Sequence, residues 1–173
     1  RLGDLFRCIT GISTGDDKKY ISSVEREGFS TPFYKNPGSR RFFCEPDGFL
    51  TDNFLAVGDK VKNFMVRNKA FLKKEGITCS SMGVSFGACY LPTGSVYGVN
   101  ANIFGMNGCE WWLLAYLNSS LVTYLVRGIF HRTNMITSGY VSRIPVLKLD
   151  PTDKAKLEII AKEAVSGKIQ KHQ

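Results

Sequence analysis

Charge is missing from 34 consecutive residues of this chain: Gly76 to Cys109, "GITCSSMGVSFGACYLPTGSVYGVNANIFGMNGC", contains no Lys, Arg, Asp, Glu or His. Histidine is scarce throughout. His131 and His172 both stand in basic stretches that read as exposed surface rather than catalytic surroundings. The five cysteines (Cys8, Cys44, Cys79, Cys89 and Cys109) are odd in number and scattered, with no C-x-x-C pair. That spacing argues against a disulfide framework and a zinc site, and for a reducing, cytoplasmic compartment. The longest apolar run, Trp111 to Val126, covers 16 residues and is interrupted by Asn118, Ser119 and Ser120. A bilayer span needs about 20 apolar residues, so the run predicts a buried helix and no membrane partner. No signal-peptide pattern opens the chain, and its first residue is Arg rather than Met, which predicts a segment of a longer protein.

Catalytic signatures are equally absent. There is no G-x-G-x-x-G, G-x-x-x-x-G-K-[ST] or H-E-x-x-H, which removes the usual anchors of dinucleotide chemistry, nucleotide hydrolysis and zinc proteolysis. The acidic clusters Asp16–Lys19 ("DDKK") and Glu45–Gly48 ("EPDG") contain elements of a metal-dependent nuclease centre. They come in the wrong order for one, and both sit in turn contexts that account for the aspartates. An amino-methyltransferase needs an N-P-P-Y-type loop, and none is present. The segment is therefore expected to be non-catalytic, with no metal or cofactor of its own.

What is present is excess positive charge, +8 in formal terms, and its distribution is uneven. Residues 1–75 hold 14 Lys/Arg and 10 Asp/Glu, residues 76–123 hold no base and one acid, and residues 124–173 hold nine bases and four acids. A basic balance favours polyanionic partners. Turn signals at "STGDDKK", "NPGS" and "EPDG" bracket short extended pieces, among them "RRFF" as a strand. "VKNFMVRNKAFLKKEG" fits helix and strand about equally. The neutral block, rich in Val, Ile, Phe, Tyr, Thr and Ser and cut by Gly and Pro, predicts short strands and turns. Trp111–Ile129 predicts one helix packed on most sides, so Trp111, Trp112 and Tyr116 are read as core. Asp150 as N-cap and Pro151 at the first helical position predict a terminal helix with Leu157, Ile160, Ala161 and Ala164 on its inner face. The expected class is α+β: a strand-rich body over residues 1–149 with one buried helix, and an amphipathic helix over 150–173.

The order of these pieces carries more than any of them alone. "GISTGDDKKYI", "PFYKNPGSRRFF", "FLKKEGITCSSMGVSFGACYLPTGSVYGVNANIF", "WWLLAYLNSSLVTYLV" and "SGYVSRIPV" together resemble the C-terminal target-recognition (specificity) domain of adenine amino-group DNA methyltransferases of the type IIG restriction-modification and BREX phage-defence kind. The resemblance spans about residues 3–147. It implies a module that reads double-stranded DNA, attached to a catalytic domain of the same parent chain that binds S-adenosylmethionine and methylates a flipped adenine. Thr14–Lys19 matches the family's early turn, Tyr34–Phe43 its "Y-x-G-G-x-R-K-W-Y" segment, and Gly76–Thr78 with Tyr90–Gly94 its central signature. Cys79 and Cys89 replace a Trp and a base common in BREX-type members, which leaves the subfamily and the target sequence open.

The candidate DNA contacts are Thr14, Lys18, Lys19, Lys35, Arg40, Arg41, Ser80 and Ser81. Arg40 and Arg41 are the expected base readers or bidentate phosphate ligands, because a planar guanidinium matches both phosphate and the O6/N7 edge of guanine. Lys18, Lys19 and Lys35 are expected on phosphates. Ser80, Ser81 and Ser85 contact DNA or satisfy local backbone, and Lys69, Lys73 and Lys74 read as a solvated face. Two rival readings are a protein-interaction module of a defence complex and a specificity-subunit fragment of a type I restriction system. The second would show two recognition domains separated by long helices.

Overall fold

The computed structural model describes residues 1–82, 85–130 and 135–172, with side chains as far as Lys168. It has the expected α+β class. Two four-stranded sheets are built from β1 (Arg7–Ile9), β2 (Ile21–Ser22), β3 (Thr31–Tyr34), β4 (Gly48–Leu50), β5 (Gly76–Cys79), β6 (Ala88–Leu91), β7 (Val96–Tyr97) and β8 (Asn102–Phe104). The first sheet, in the order β1-β8-β5-β6, is antiparallel throughout, with Ile77 opposite both Tyr90 and Ile103. The second, β2-β4-β3-β7, is antiparallel except where β3 runs parallel to β7, Phe33 beside Val96.

The helices are α1 (Leu2–Leu5), α2 (Asp17–Tyr20), α3 (Phe54–Lys60), α4 (Trp111–Leu117), α5 (Ser120–Tyr124), α6 (Ser138–Val141) and α7 (Pro151–His172), with a π-helical turn over Leu125–Phe130. The stretch "VKNFMVRNKAFLKKEG" is mostly neither helix nor strand. Met65 makes a single bridge to Ser13, and only Lys69–Phe71 coils into a 3-10 turn.

The neutral block is the centre of the molecule. All four strands it contributes are buried apart from Tyr90, and an unpaired charge at such positions would cost several kcal/mol or more. The larger core lies between the first sheet and α4, α5 and α7, where Leu113, Leu114, Leu117, Val122, Ala161 and Val165 pack on Ile77, Phe86 and Ile103. Ile12, Phe33, Leu50, Phe54 and Phe64 fill a second cluster against the other sheet. Tyr34, Cys44, Cys89, Leu91, Tyr97 and Phe104 form a third.

Two expectations about the helices need correcting. The apolar run is not one helix: it breaks after Leu117 and bends by 56° into the following segment. Beyond the break Leu121, Tyr124 and Ile129 are exposed rather than packed. The cause is Asn118, which is buried and turned onto the outer edge of β6. Its Oδ1 accepts the backbone N–H of Ala88 (3.1 Å) and its Nδ2 donates to the carbonyls of Ala88 (2.8 Å) and Leu114 (2.9 Å). Ser119 then restarts the helix as an N-cap, accepting from the N–H of Val122. No single helix among the described residues is long and apolar enough to cross a membrane.

The terminal helix starts where the sequence places it, Asp150 Oδ1 accepting the N–H of Asp153 at 2.8 Å. Its inner face is rotated from the expected one. Leu157, Ala161 and Val165 enter the main core, while Ile160 is 51% exposed. Trp112 and Tyr116 are buried and Trp111 stacks on Tyr90, so the three aromatics belong to the core as expected.

Candidate nucleic-acid interface

The turn from Thr14 to Lys19 is organised by its aspartates. Gly15 takes a left-handed φ of 68° where a Cβ would meet the Asn63 carbonyl at 2.7 Å. Asp16 caps α2, its Oδ1 accepting the N–H of Lys19 at 3.3 Å. The Thr14 hydroxyl donates to Asp17, and the ammonium of Lys35, from the end of β3, donates to the same carboxylate. Burial raises the Asp17 carboxyl, but the hydrogen bonds from Lys35 and Thr14 outweigh it and hold the group below the usual carboxylate range. Thr14, Lys18 and Lys35 thus line one concavity of about 450 Å³ with Phe33, Gly98 and Val99. Thr14 itself is only 5% exposed. Its place among the contact residues is corrected: its hydroxyl is committed to Asp17, and it orders the turn rather than reaching outward.

The loop after Lys35 is pinned at several points. Asp47 Oδ2 accepts the N–H groups of Lys35 (2.6 Å) and Asn36 (3.1 Å). Asn36 Oδ1 accepts from Gly38 and from Ser81, each at 3.1 Å, so this one side chain ties the loop to the end of β5, 45 residues away. Arg40 and Arg41 are not on a strand, contrary to the sequence reading. Only Phe42 pairs with β6, giving its N–H to Ala88 and accepting from Tyr90, both at 2.8 Å, with a left-handed φ of 69°. The Arg40 carbonyl lies so close over Gly87 that a Cβ there would sit 2.2 Å from it. Lys168 of α7 donates its ammonium to the Arg41 carbonyl at 2.6 Å. The backbone of the arginine pair is therefore braced from both sides while both side chains are exposed. Among the described residues neither guanidinium is in an ion pair, nor is Lys18 or Lys19. Lys19 lies 5.2 Å from the ring centroid of Tyr20.

Ser80 is fully buried and its hydroxyl accepts the N–H of Gly87 at 3.0 Å. It shapes the β5–β6 end and is removed from the contact set by its burial. Ser81 is half-buried; its N–H goes to Asn36 and its carbonyl accepts from Ile136 at 2.7 Å. Cys79 and Cys89 are buried, with thiols raised in pKa, Cys79 by burial and Cys89 by its hydrogen bond with Cys44 and by burial.

Six of the eight candidates therefore stay at least partly exposed, Lys18, Lys19 and Lys35 at the Thr14–Lys19 turn and its ion pair, and Arg40, Arg41 and Ser81 around the loop that Asn36 ties to the end of β5. Lys35 contributes less free charge than its sequence suggests, because Asp17 neutralises it. Asn36 and Lys168 escaped the sequence reading, whereas Asp17 and Asp47 belong to the two acidic clusters it assigned to turns. The acidic clusters are used structurally: Asp16 as a cap, Asp17 in an ion pair and Asp47 as a backbone acceptor. No group of three or more His, Cys, Asp or Glu suited to a metal occurs among the described residues. His131 lies outside the described residues, as does the side chain of His172. Lys69 pairs with Asp59 at 3.0 Å, while Lys73 and Lys74 lie over the rings of Phe54 and Phe71. Compared with known proteins, the chain matches no family model, and no curated protein is significantly similar to it in sequence.

Proposed function

We propose that this chain is a double-stranded DNA recognition module, the specificity domain of an adenine amino-group DNA methyltransferase or type IIG restriction-modification enzyme of phage defence. In this reading it works in the cytoplasm, and methyl transfer from S-adenosylmethionine belongs to a catalytic domain elsewhere in the parent chain. The observation that carries the reading is a set of four exposed cations without carboxylate partners among the described residues, Lys18, Lys19, Arg40 and Arg41, on turns whose backbones are fixed by Asp16, Asn36 and Lys168. Flexible ammonium groups on one turn neutralise phosphates and set register. Adjacent guanidinium groups on a braced loop can each hold a guanine edge or a phosphate through two parallel hydrogen bonds. Bracing favours specificity, since a loop already ordered loses less entropy on binding.

The test is fluorescence anisotropy of the chain with a duplex of mixed sequence over a range of salt. Affinity falls steeply as salt rises, because each neutralised phosphate contributes about 0.9 to the slope of log K against log salt. Replacing Lys18 and Lys19 by Gln lowers that slope by about 1.8. Binding that does not respond to salt overturns the proposal.

A further inference from the structure

After β1 the chain runs through Gly11, Ile12 and Ser13, whose N–H groups donate to the carbonyls of Gly98, Tyr97 and Met65. The surface beside Arg7 is separate from the concavity at Thr14, for among the described residues none lines both. That surface holds a groove of about 960 Å³, about twice the concavity at Thr14 and within the range of small-ligand sites.

The groove combines two chemistries. Phe6, Phe71 and Phe104 give it an aromatic floor, the last two with ring centroids 5.4 Å apart. Met106, 94% exposed, stands at the rim with the exposed Leu5. Arg7, Lys73 and Lys74 supply three cations, none ion-paired among the described residues, against the two carboxylates of Asp4 and Glu75, which leaves one positive charge in excess. Glu75 is already engaged: Oε1 accepts from the Tyr90 hydroxyl at 2.7 Å and Oε2 from the N–H of Cys109 at 3.3 Å. Lys73 points toward Phe54, whereas Lys74 lies 5.3 Å from the centroid of Phe71, beside the aromatic floor. Arg7 lies directly across the strand pair from Phe104.

We propose that this groove binds a small amphipathic anion, a planar apolar body bearing one acidic group such as an aromatic carboxylate or sulfonate. The apolar body covers the half-buried Phe71 and the side of Met106, removing exposed apolar surface from water. The acidic group meets Arg7, which can grip it with two parallel hydrogen bonds, and Lys74. The assignment does not depend on the DNA reading.

The probe is anilinonaphthalene sulfonate, titrated into the native chain with near-ultraviolet circular dichroism recorded alongside to show that packing is intact. The expected result is saturable fluorescence at one probe per chain. An Arg7→Gln/Lys74→Gln variant weakens binding about tenfold, as expected for loss of charged hydrogen bonds, and Met106→Glu, which alters only an exposed rim residue, also weakens it. Lys60→Gln, at the end of α3 and outside the groove, leaves it unchanged. Uncharged phenylnaphthylamine binds at least about tenfold more weakly than the sulfonate. Binding without saturation, equal binding of the uncharged analogue, or unchanged affinity in the Arg7→Gln/Lys74→Gln variant overturns the assignment.

Discussion

Asn118 offers the sharpest test of how the fold holds the arginine loop, and replacing it by Ala is the perturbation. Among the described residues no strand lies along the outer edge of β6; its free backbone groups are met by Phe42 and Asn118. Removing the amide leaves the Ala88 N–H without a partner in a fully buried place, which costs about 1–3 kcal/mol. The Ala88 carbonyl keeps the Phe42 N–H at 2.8 Å, and the Leu114 carbonyl keeps the backbone N–H of Asn118 at 3.3 Å. Each of these therefore loses only a second bond, about 0.5–1 kcal/mol apiece. The sum is about 2–5 kcal/mol, a large share of the 5–15 kcal/mol typical of a domain. For a domain of this size it corresponds to a fall of about 5–14 °C in Tm. Thermal unfolding followed by circular dichroism measures it, with Leu121→Ala as an exposed control expected to change stability by no more than about 0.5 kcal/mol. A drop below about 2 °C for Asn118→Ala would show that the edge of β6 is satisfied some other way, and the account of the helix break would fail with it. Because the Ala88 carbonyl also receives Phe42, the same variant should loosen the loop bearing Arg40 and Arg41.

Under the proposed function, replacing Arg40 and Arg41 together by Ala should relax the chain's preference among duplex sequences by about 1–3 kcal/mol per lost bidentate base contact; unchanged discrimination between duplexes removes them from the proposed interface. Asp17 carries a pH signature. Its folded-state pKa is depressed, so it contributes stability above its unfolded value and loses that contribution as pH falls through the folded one. The acid limb of an unfolding curve should therefore flatten in Asp17→Asn, and a limb identical to that of the parent chain refutes the assignment. The cysteines should react slowly while the chain is folded. Cys44, Cys79 and Cys89 are buried, and burial pushes the half-buried Cys8 thiol up to about 11. A disulfide reagent should count all five thiols only after denaturation, and fast native reaction at Cys79 or Cys89 would contradict their burial.

The parts of this architecture that were legible in the sequence are those decided by neighbours along the chain. Asp150 and Pro151 start a helix because a side-chain acceptor and a fixed φ act within one turn. The neutral block yields strands because its β-branched and aromatic residues are interrupted by Gly and Pro at strand-length intervals. The helix break and the arginine loop are decided across the fold instead. Apolar helix formers lie on both sides of Asn118, and what fixes the break there is an edge carbonyl and N–H at Ala88, thirty residues earlier. "RRFF" has the composition of a strand. Its pairing is confined to Phe42 because the chain turns left-handed there and the Arg40 carbonyl is drawn down onto Gly87. The candidate site shares this character: Asn36 reaches Ser81 across 45 residues and Lys168 reaches Arg41 across 127. Residue type alone could nominate the cations, because charge and donor geometry are local properties. Which of them stand free, and which candidates are buried, depends on these long-range braces. The same dependence explains why Thr14 and Ser80, chosen for hydroxyls that could meet DNA, instead serve the turns that hold the exposed cations in place.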